Sequence, residues 1–285
     1  FAQAPGLGLN AFFAFTVVGA LGVPWQTALA AVVVEGVLFI VLTAVGAREY
    51  VVGLFPKPVK FAVGTGIGLF LAIIGLQAMG IVVDDPATLI ALGSVASNPV
   101  AILSVVGLFL TLGLYARDVP GSIIIGIVLT TVAGWVLTRF GPISPEAGLV
   151  AGSAAVTYDI TPLAGAFIDG LANVEAFTFA LVVFTFFFVD FFDTAGTLVG
   201  VGQAGGFLDE NGRFPDIDRP LMADAIGTTV GGALGTSTVT TYIESASGVE
   251  EGGRTGLTAL TVAGLFVVSL VLVPLAAAIP LYASH

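Results

Sequence analysis

The feature that most constrains this chain is a recurring run of apolar residues with few charges, each long enough (about 17–25 residues) to cross roughly 30 Å of hydrocarbon as a helix. Full spans are expected near residues 25–45, 59–79, 99–116, 122–137, 175–201 and 256–279, with shorter irregular ones at 4–21, 220–234 and 236–248. That makes about nine crossings, all within one membrane domain covering residues 1–285. Only 9% of the residues are charged, against about 25% in soluble domains, which excludes an ordinary soluble enzyme.

Charge narrows the class further. With 8 Lys+Arg against 19 Asp+Glu and a formal charge of -11, the chain lacks the basic footprint that displaces counterions from phosphates, so nucleic acid is excluded as a partner. There is no cysteine, hence no disulfide and no thiolate metal site. Short loops on the cytoplasmic side of a membrane protein collect Lys and Arg. If Phe1 is cytoplasmic and every span crosses, Arg48, Lys57, Lys60, Arg117, Arg213, Arg219 and Arg254 fall inside and only Arg139 outside. The acidic loop 82–97 then faces outward. The chain opens at Phe1 inside an apolar run, without an initiator Met or a charged region before a cleavage site, so it is expected to be a piece of a longer protein.

All but Glu35, Asp190, Asp193 and Glu244 of the 19 acids are expected in loops or at span ends. The first signal of chemistry is Phe-Thr-Phe-Phe-Phe-Val-Asp-Phe-Phe-Asp-Thr-Ala-Gly-Thr at 184–197. It places Asp190, Asp193, Thr194 and Thr197 along one helical stripe. An ionised carboxylate at the bilayer centre costs roughly 2.5–3.5 kcal/mol, so these acids face a polar cavity, find a partner or hold a proton. A packing pair of protonated acids is the plainer alternative.

The second signal is Gly-Thr-Ser-Thr-Val-Thr-Thr-Tyr-Ile-Glu-Ser-Ala-Ser-Gly at 235–248, whose β-branched, hydroxyl-rich first half reads as an extended stretch running into a half-helix at Ile243–Glu244. Non-helical backbone at membrane depth persists only when buried in protein or lining a cavity. Residues 2–13 have the same character, with Pro5, Gly6 and Gly8 delaying the helix until about Asn10. Two broken spans suggest two repeats and a binding site between them. A kink without a ligand is the alternative for each. Other features carry less. Gly200-Val-Gly-Gln-Ala-Gly205 follows a membrane span rather than a strand, so it is no dinucleotide loop. Tyr158-Asp159 matches half of an intramembrane aspartyl protease site, without the Gly-x-Gly-Asp partner. The single His285 is terminal, and Glu35 is read equally as a structural hydrogen bond or a relay acid.

Several strings together resemble the AzgA-like purine permeases of the nucleobase–cation symporter-2, or xanthine/uracil permease, group. They are Ala-Pro-Gly-Leu-Gly-Leu-Asn-Ala-Phe-Phe at 4–13, Gly-Thr-Gly-Ile-Gly-Leu-Phe at 64–70, the Asp190–Asp193 string at 188–197, Ala-Asp-Ala-Ile-Gly-Thr-Thr at 223–229, the 234–248 string and Gly-Gly-Arg-Thr-Gly-Leu at 252–257. The resemblance implies an all-α polytopic membrane protein of seven-plus-seven inverted repeats, with two short strand-plus-helix spans. This chain would supply spans three to eleven of fourteen. Residues 1–45 and 175–279 would lie mainly in a core domain and 58–137 mainly in a gate domain. It also implies a secondary transporter in the cell membrane, not an enzyme, with no cofactor or bound metal, and a homodimer as the intact state. The implied cargo is hypoxanthine, guanine or adenine.

By the same resemblance, Asn10, Asp190 and Glu244, with Thr236 and Ser237, are the substrate positions, and Asp193, Asp190 and Glu244 the proton-coupling ones. The set suits a neutral purine. Carboxylates accept ring and exocyclic N–H bonds, while Asn10 both donates and accepts. An anion transporter of the same fold is the alternative cargo class, disfavoured by three acids, and sodium the alternative coupling ion, with Thr194 and Thr236 as oxygen donors.

Overall fold

A computed structural model describes residues 1–47, 50, 57–141, 158–172, 174–210, 214–250 and 252–284. Arg48, Arg213 and His285 lie outside the described residues. Two units are distinguished, residues 1–68 with 158–267, and residues 69–157 with 268–285.

The first unit opens with the strand β1 (Gln3–Pro5) and the short helix α1 (Leu7–Ala11), which widens into nine residues of π-helix, Phe12–Ala20. The helix therefore starts three residues before the expected Asn10. Next come α2 (Trp25–Ala44) and α3 (Lys57–Ala78), the latter running on beyond Gly68. After residue 158 the unit continues through α6 (Phe167–Ala172), α7 (Ala176–Gly205), α8 (Asp218–Leu234), β4 (Val239–Thr241), α9 (Ser245–Glu250) and α10 (Gly256–Ser269). Glu175 caps α7, its carboxylate accepting from Phe177 N at 3.2 Å and Thr178 N at 2.7 Å. Hydrogen bonds from Thr178 hold this exposed carboxyl below the usual glutamate range.

Two apolar clusters hold this unit together. Leu9, Val17, Ala28, Ala31, Val32, Val182, Val183 and Phe186 join α1 and its π extension to α2 and α7. Phe39, Phe191, Phe192, Leu198, Leu221 and Ala225 join α2, α7 and α8. Phe39 stacks on Phe187 with ring centroids 4.6 Å apart. The α2–α8 crossing is close because Gly36 sits against Thr229: a Cβ there would lie 2.4 Å from Thr229 Oγ1 and 2.7 Å from its backbone nitrogen. Gly36→Val is therefore expected to destabilise the protein by about 1–3 kcal/mol through overpacking. A lowered melting temperature in detergent checks this, and an unchanged one contradicts it.

The second unit carries the end of α3, the antiparallel strands β2 (Val82–Asp85) and β3 (Leu89–Leu92), α4 (Pro99–Tyr115) and α5 (Ser122–Phe140). After α10 a 3₁₀ turn, Leu270–Leu272, precedes α11 (Val273–Ala277), and α12 (Leu281–Ser284) packs on α4 and α5. The acidic loop read from sequence is thus a hairpin. Its turn is set by Asp85, whose carboxylate accepts from Ala87 N and Thr88 N, both at 2.8 Å. Those backbone bonds, Thr88 first, hold the exposed Asp85 carboxyl below its ordinary value. The expected single span at 256–279 is also interrupted. Pro274 in α11 has no N–H to give and its ring crowds the carbonyl four residues back.

Among the described residues, three helices are by length and composition apolar enough to cross a membrane: α2, α5 and residues Ala176–Gln203 of α7. Leu7–Ala20, Gly68–Ala78, Pro99–Tyr115 and Gly256–Leu272 are shorter apolar helices. Their outward residues, among them Leu69, Val106, Phe109 and Leu260, are exposed, as is Ile124 on α5, a surface that hydrocarbon solvates far better than water.

Candidate functional site

The first unit brings its two extended segments together. β1 pairs antiparallel with β4, Gln3 opposite Thr241, Ala4 opposite Thr240 and Pro5 opposite Val239. Flanking bonds extend the ladder, Gly6 N to Thr238 O at 3.2 Å and Tyr242 N to Ala2 O at 3.0 Å. Backbone groups that a helix would satisfy internally are thereby satisfied between the two broken segments, which permits strand at this depth.

Strand periodicity sorts the side chains of the β4 segment into two faces. Residues two apart share a face, so Thr238 and Thr240 turn one way and Ser237 and Val239 the other. Thr238 donates to Glu35 Oε2 at 3.3 Å, and Thr240 donates to Asp193 Oδ2 at 3.1 Å. Val239 packs on α8, where Gly227 and Gly231 leave room for it, and its carbonyl accepts from Thr228 at 2.6 Å. Ser237 donates to the side-chain oxygen of Asn10 in a short contact that ties α1 to the β4 segment.

On α7 the stripe expected from sequence faces protein: Asp190 and Thr194 are fully buried and Thr197 nearly so, with Asp193 half-buried beside them. Thr194 lies 3.5 Å from Asp190 Oδ1, 2.9 Å from Asp224 Oδ1 and 2.9 Å from Thr240 Oγ1. The structure thus gathers Asn10, Ser237, Asp190 and Asp193 around β4. Thr236 is half-buried near the end of α8, its backbone nitrogen bonded to Gly231 O.

Glu244 is placed differently. It is exposed at the turn before α9 and lines a cleft of about 510 Å³ with Phe1, Phe207, Phe214, Tyr242 and Arg254. That volume is within the range of small-molecule sites, yet of the expected site residues only Glu244 borders it. Arg254 donates to Val249 O and lies 5.5 Å from the Phe207 ring centre, bracing the cleft wall.

Two buried acids stand beyond the expected set. Asp224, near the start of the expected short span at 220–234, is fully buried in α8 and receives the Thr194 hydroxyl. Glu35, left open from sequence, is fully buried in α2 and faces Thr238. The available signal for Asp224 was its spacing from Thr228, one turn along α8, which puts both on the stripe that meets β4. Among the described residues no group of three or more His, Cys, Asp or Glu is arranged to hold a metal ion.

A profile described as the Permease family matches residues 1–284. The chain belongs to this permease family. The permease is a mostly helical, integral membrane protein, and its relatives carry transporter rather than enzyme names. It is 45% identical over 284 residues to a Methanocaldococcus jannaschii protein named for a permease with no substrate specified, aligning 100% of this chain with 63% of the relative. It is 39% identical over 285 residues to the adenine permease AdeP of Escherichia coli K12, covering 99% of this chain and 61% of that protein. Over 274 residues it is 40% identical to the guanine/hypoxanthine permease PbuG of Bacillus subtilis 168, covering 96% and 60%. The chain thus spans 60–63% of the length of these relatives.

Proposed function

We propose that the full-length permease containing this chain is a secondary active transporter that imports purine nucleobases, adenine, guanine or hypoxanthine, by proton symport across the cell membrane. The observation that carries the reading is the meeting of two broken segments, β1–α1 and β4–α9, at a set of buried and half-buried carboxylates interleaved with hydroxyls. Purine permeases among the relatives support the cargo.

In this reading Asp190 accepts purine N–H groups, Glu244 does so from the cleft it borders, Asn10 donates and accepts, and Ser237 and Thr236 add further polar groups. A carboxylate acceptor makes a bond roughly twice as strong as a neutral one, which favours a neutral ligand rich in donors and disfavours an anion. Asp193 is the nearby acid that takes up the coupling proton, since neighbouring carboxylates do not ionise together easily. The finer architecture belongs to the same proposal: a seven-plus-seven inverted repeat in which residues 1–45 and 175–279 contribute mainly to the core domain and 58–137 mainly to the gate, with two copies forming a homodimer.

Uptake of radiolabelled adenine, guanine and hypoxanthine by the full-length protein in a permease-deficient host tests the cargo. Saturable uptake of at least one purine, inhibited by the unlabelled base, is expected. Sulphate or bicarbonate flux without uptake of any purine would sink the reading in favour of an anion transporter.

A further inference from the structure

Asp224 is joined to Asp193 by an unbroken line of hydroxyls. Asp224 Oδ1 lies 2.9 Å from Thr194 Oγ1, Thr194 Oγ1 lies 2.9 Å from Thr240 Oγ1, and Thr240 Oγ1 lies 3.1 Å from Asp193 Oδ2. Each contact brings two oxygens to hydrogen-bonding distance and so requires one proton between them. Three contacts require three protons. Each threonine hydroxyl supplies one, so the third belongs to a carboxyl at one end of the line. With the proton on Asp193, Asp193 donates to Thr240, Thr240 to Thr194 and Thr194 to a charged Asp224. With it on Asp224, every donor reverses and Asp193 carries the charge.

We propose that Thr194 and Thr240 relay one shared carboxylic proton between Asp193 and Asp224, and that the symported proton is held on Asp224, removed from the substrate, while Asp193 is charged. The inference rests on the proton-symport reading and adds the path the proton takes. The transfer balances without a co-reactant. The Asp193 O–H bond breaks as Thr240 oxygen takes the proton, the Thr240 proton passes to Thr194 oxygen, and the Thr194 proton forms the new O–H bond on Asp224. A negative charge moves from Asp224 to Asp193 and the total is unchanged.

The position of the middle link ties the proton to conformation. Thr194 is on α7, whereas Thr240 is on β4, the strand that comes after Thr236 and Ser237 and pairs with β1. The line is continuous only while β4 is seated against α7, so a movement of the paired broken segments during transport opens or closes the path. The titratable groups facing it are Asp190 on α7, 3.5 Å from Thr194, Glu35 on α2, reached through Thr238, and Glu244, three residues after β4. The Thr194 proton is directed to Asp224 rather than Asp190 because that contact is shorter.

Valine keeps the shape of threonine and removes the hydroxyl, so Thr194→Val and Thr240→Val in the full-length permease interrupt the line. Net uptake driven by a proton gradient is expected to fall roughly 100-fold or more, the scale of a lost proton-transfer group. Counterflow of labelled purine against unlabelled purine, which needs no net proton release, is expected to fall much less, and Thr194→Ser and Thr240→Ser are expected to restore net uptake. Parent-like net uptake by the valine variants overturns the relay. So does an equal loss of uptake and counterflow that serine fails to restore, which identifies the hydroxyls as structural. Failure of the underlying reading is distinct: the parent itself would then take up purine on a sodium gradient alone, or not at all.

Discussion

Asp190→Asn and Glu244→Gln in the full-length permease are each expected to abolish measurable purine uptake. Either change keeps the side-chain size and removes the negative charge. A hydrogen bond to a charged acceptor contributes about 1.5–3 kcal/mol, or roughly 10- to 150-fold in affinity. The amide adds a further penalty, because its NH₂ faces a purine N–H where an acceptor oxygen stood. Asp190 is fully buried on α7, so the lost charge is not replaced by solvent. Asp193→Asn is expected to differ, sparing purine binding while flattening the pH dependence of uptake. Asp85→Asn, in the exposed hairpin turn of the second unit, serves as a control that leaves uptake near parent levels. Initial rates over a range of pH separate the three results, and unaltered uptake by Asp190→Asn removes Asp190 from the site.

The second large effect is expected at Gly6. This residue comes directly after β1 and donates its N–H to Thr238 O, and a Cβ built on it would come 2.5 Å from Thr240 Cγ2. Gly6→Val therefore cannot be accommodated while β4 remains in register with β1. Overpacking of this kind costs about 1–3 kcal/mol, and here it acts on the pairing that seats Thr240 between Thr194 and Asp193. Loss of uptake with preserved expression and membrane insertion is expected, with Gly6→Ala intermediate. Parent-like uptake by Gly6→Val would mean that the paired segments do not form the working site.

The long elements were legible because single physical signals specify them. Unbroken apolar runs marked α2, α4, α5 and α7 nearly to the residue at most of their ends. The spacing of Asp190, Asp193, Thr194 and Thr197 marked the buried stripe of α7. The features that stayed hidden depend on distant partners or on local detail. β1 and β4 pair across more than two hundred residues, and no local pattern announces that pairing, although the β-branched run at 236–241 marked one half as extended. Asp224 sits in a segment poor in large apolar residues, and its burial arises from α2, α7 and β4 closing around it, not from its own neighbours. The β2–β3 hairpin has only four residues in each strand, too few for a period to be read, and its register is fixed by the Asp85 turn. Pro274 could have warned of the break after α10.

Proton movement recorded together with purine uptake tests the central claim most directly. Purified full-length permease is reconstituted into sodium-free vesicles, and external pH is followed as adenine, guanine or hypoxanthine is added. The account predicts alkalinisation outside the vesicles in step with purine entry, abolished by a protonophore and absent in Asp190→Asn. Purine entry that requires sodium, persists with the protonophore and leaves external pH unchanged would contradict it.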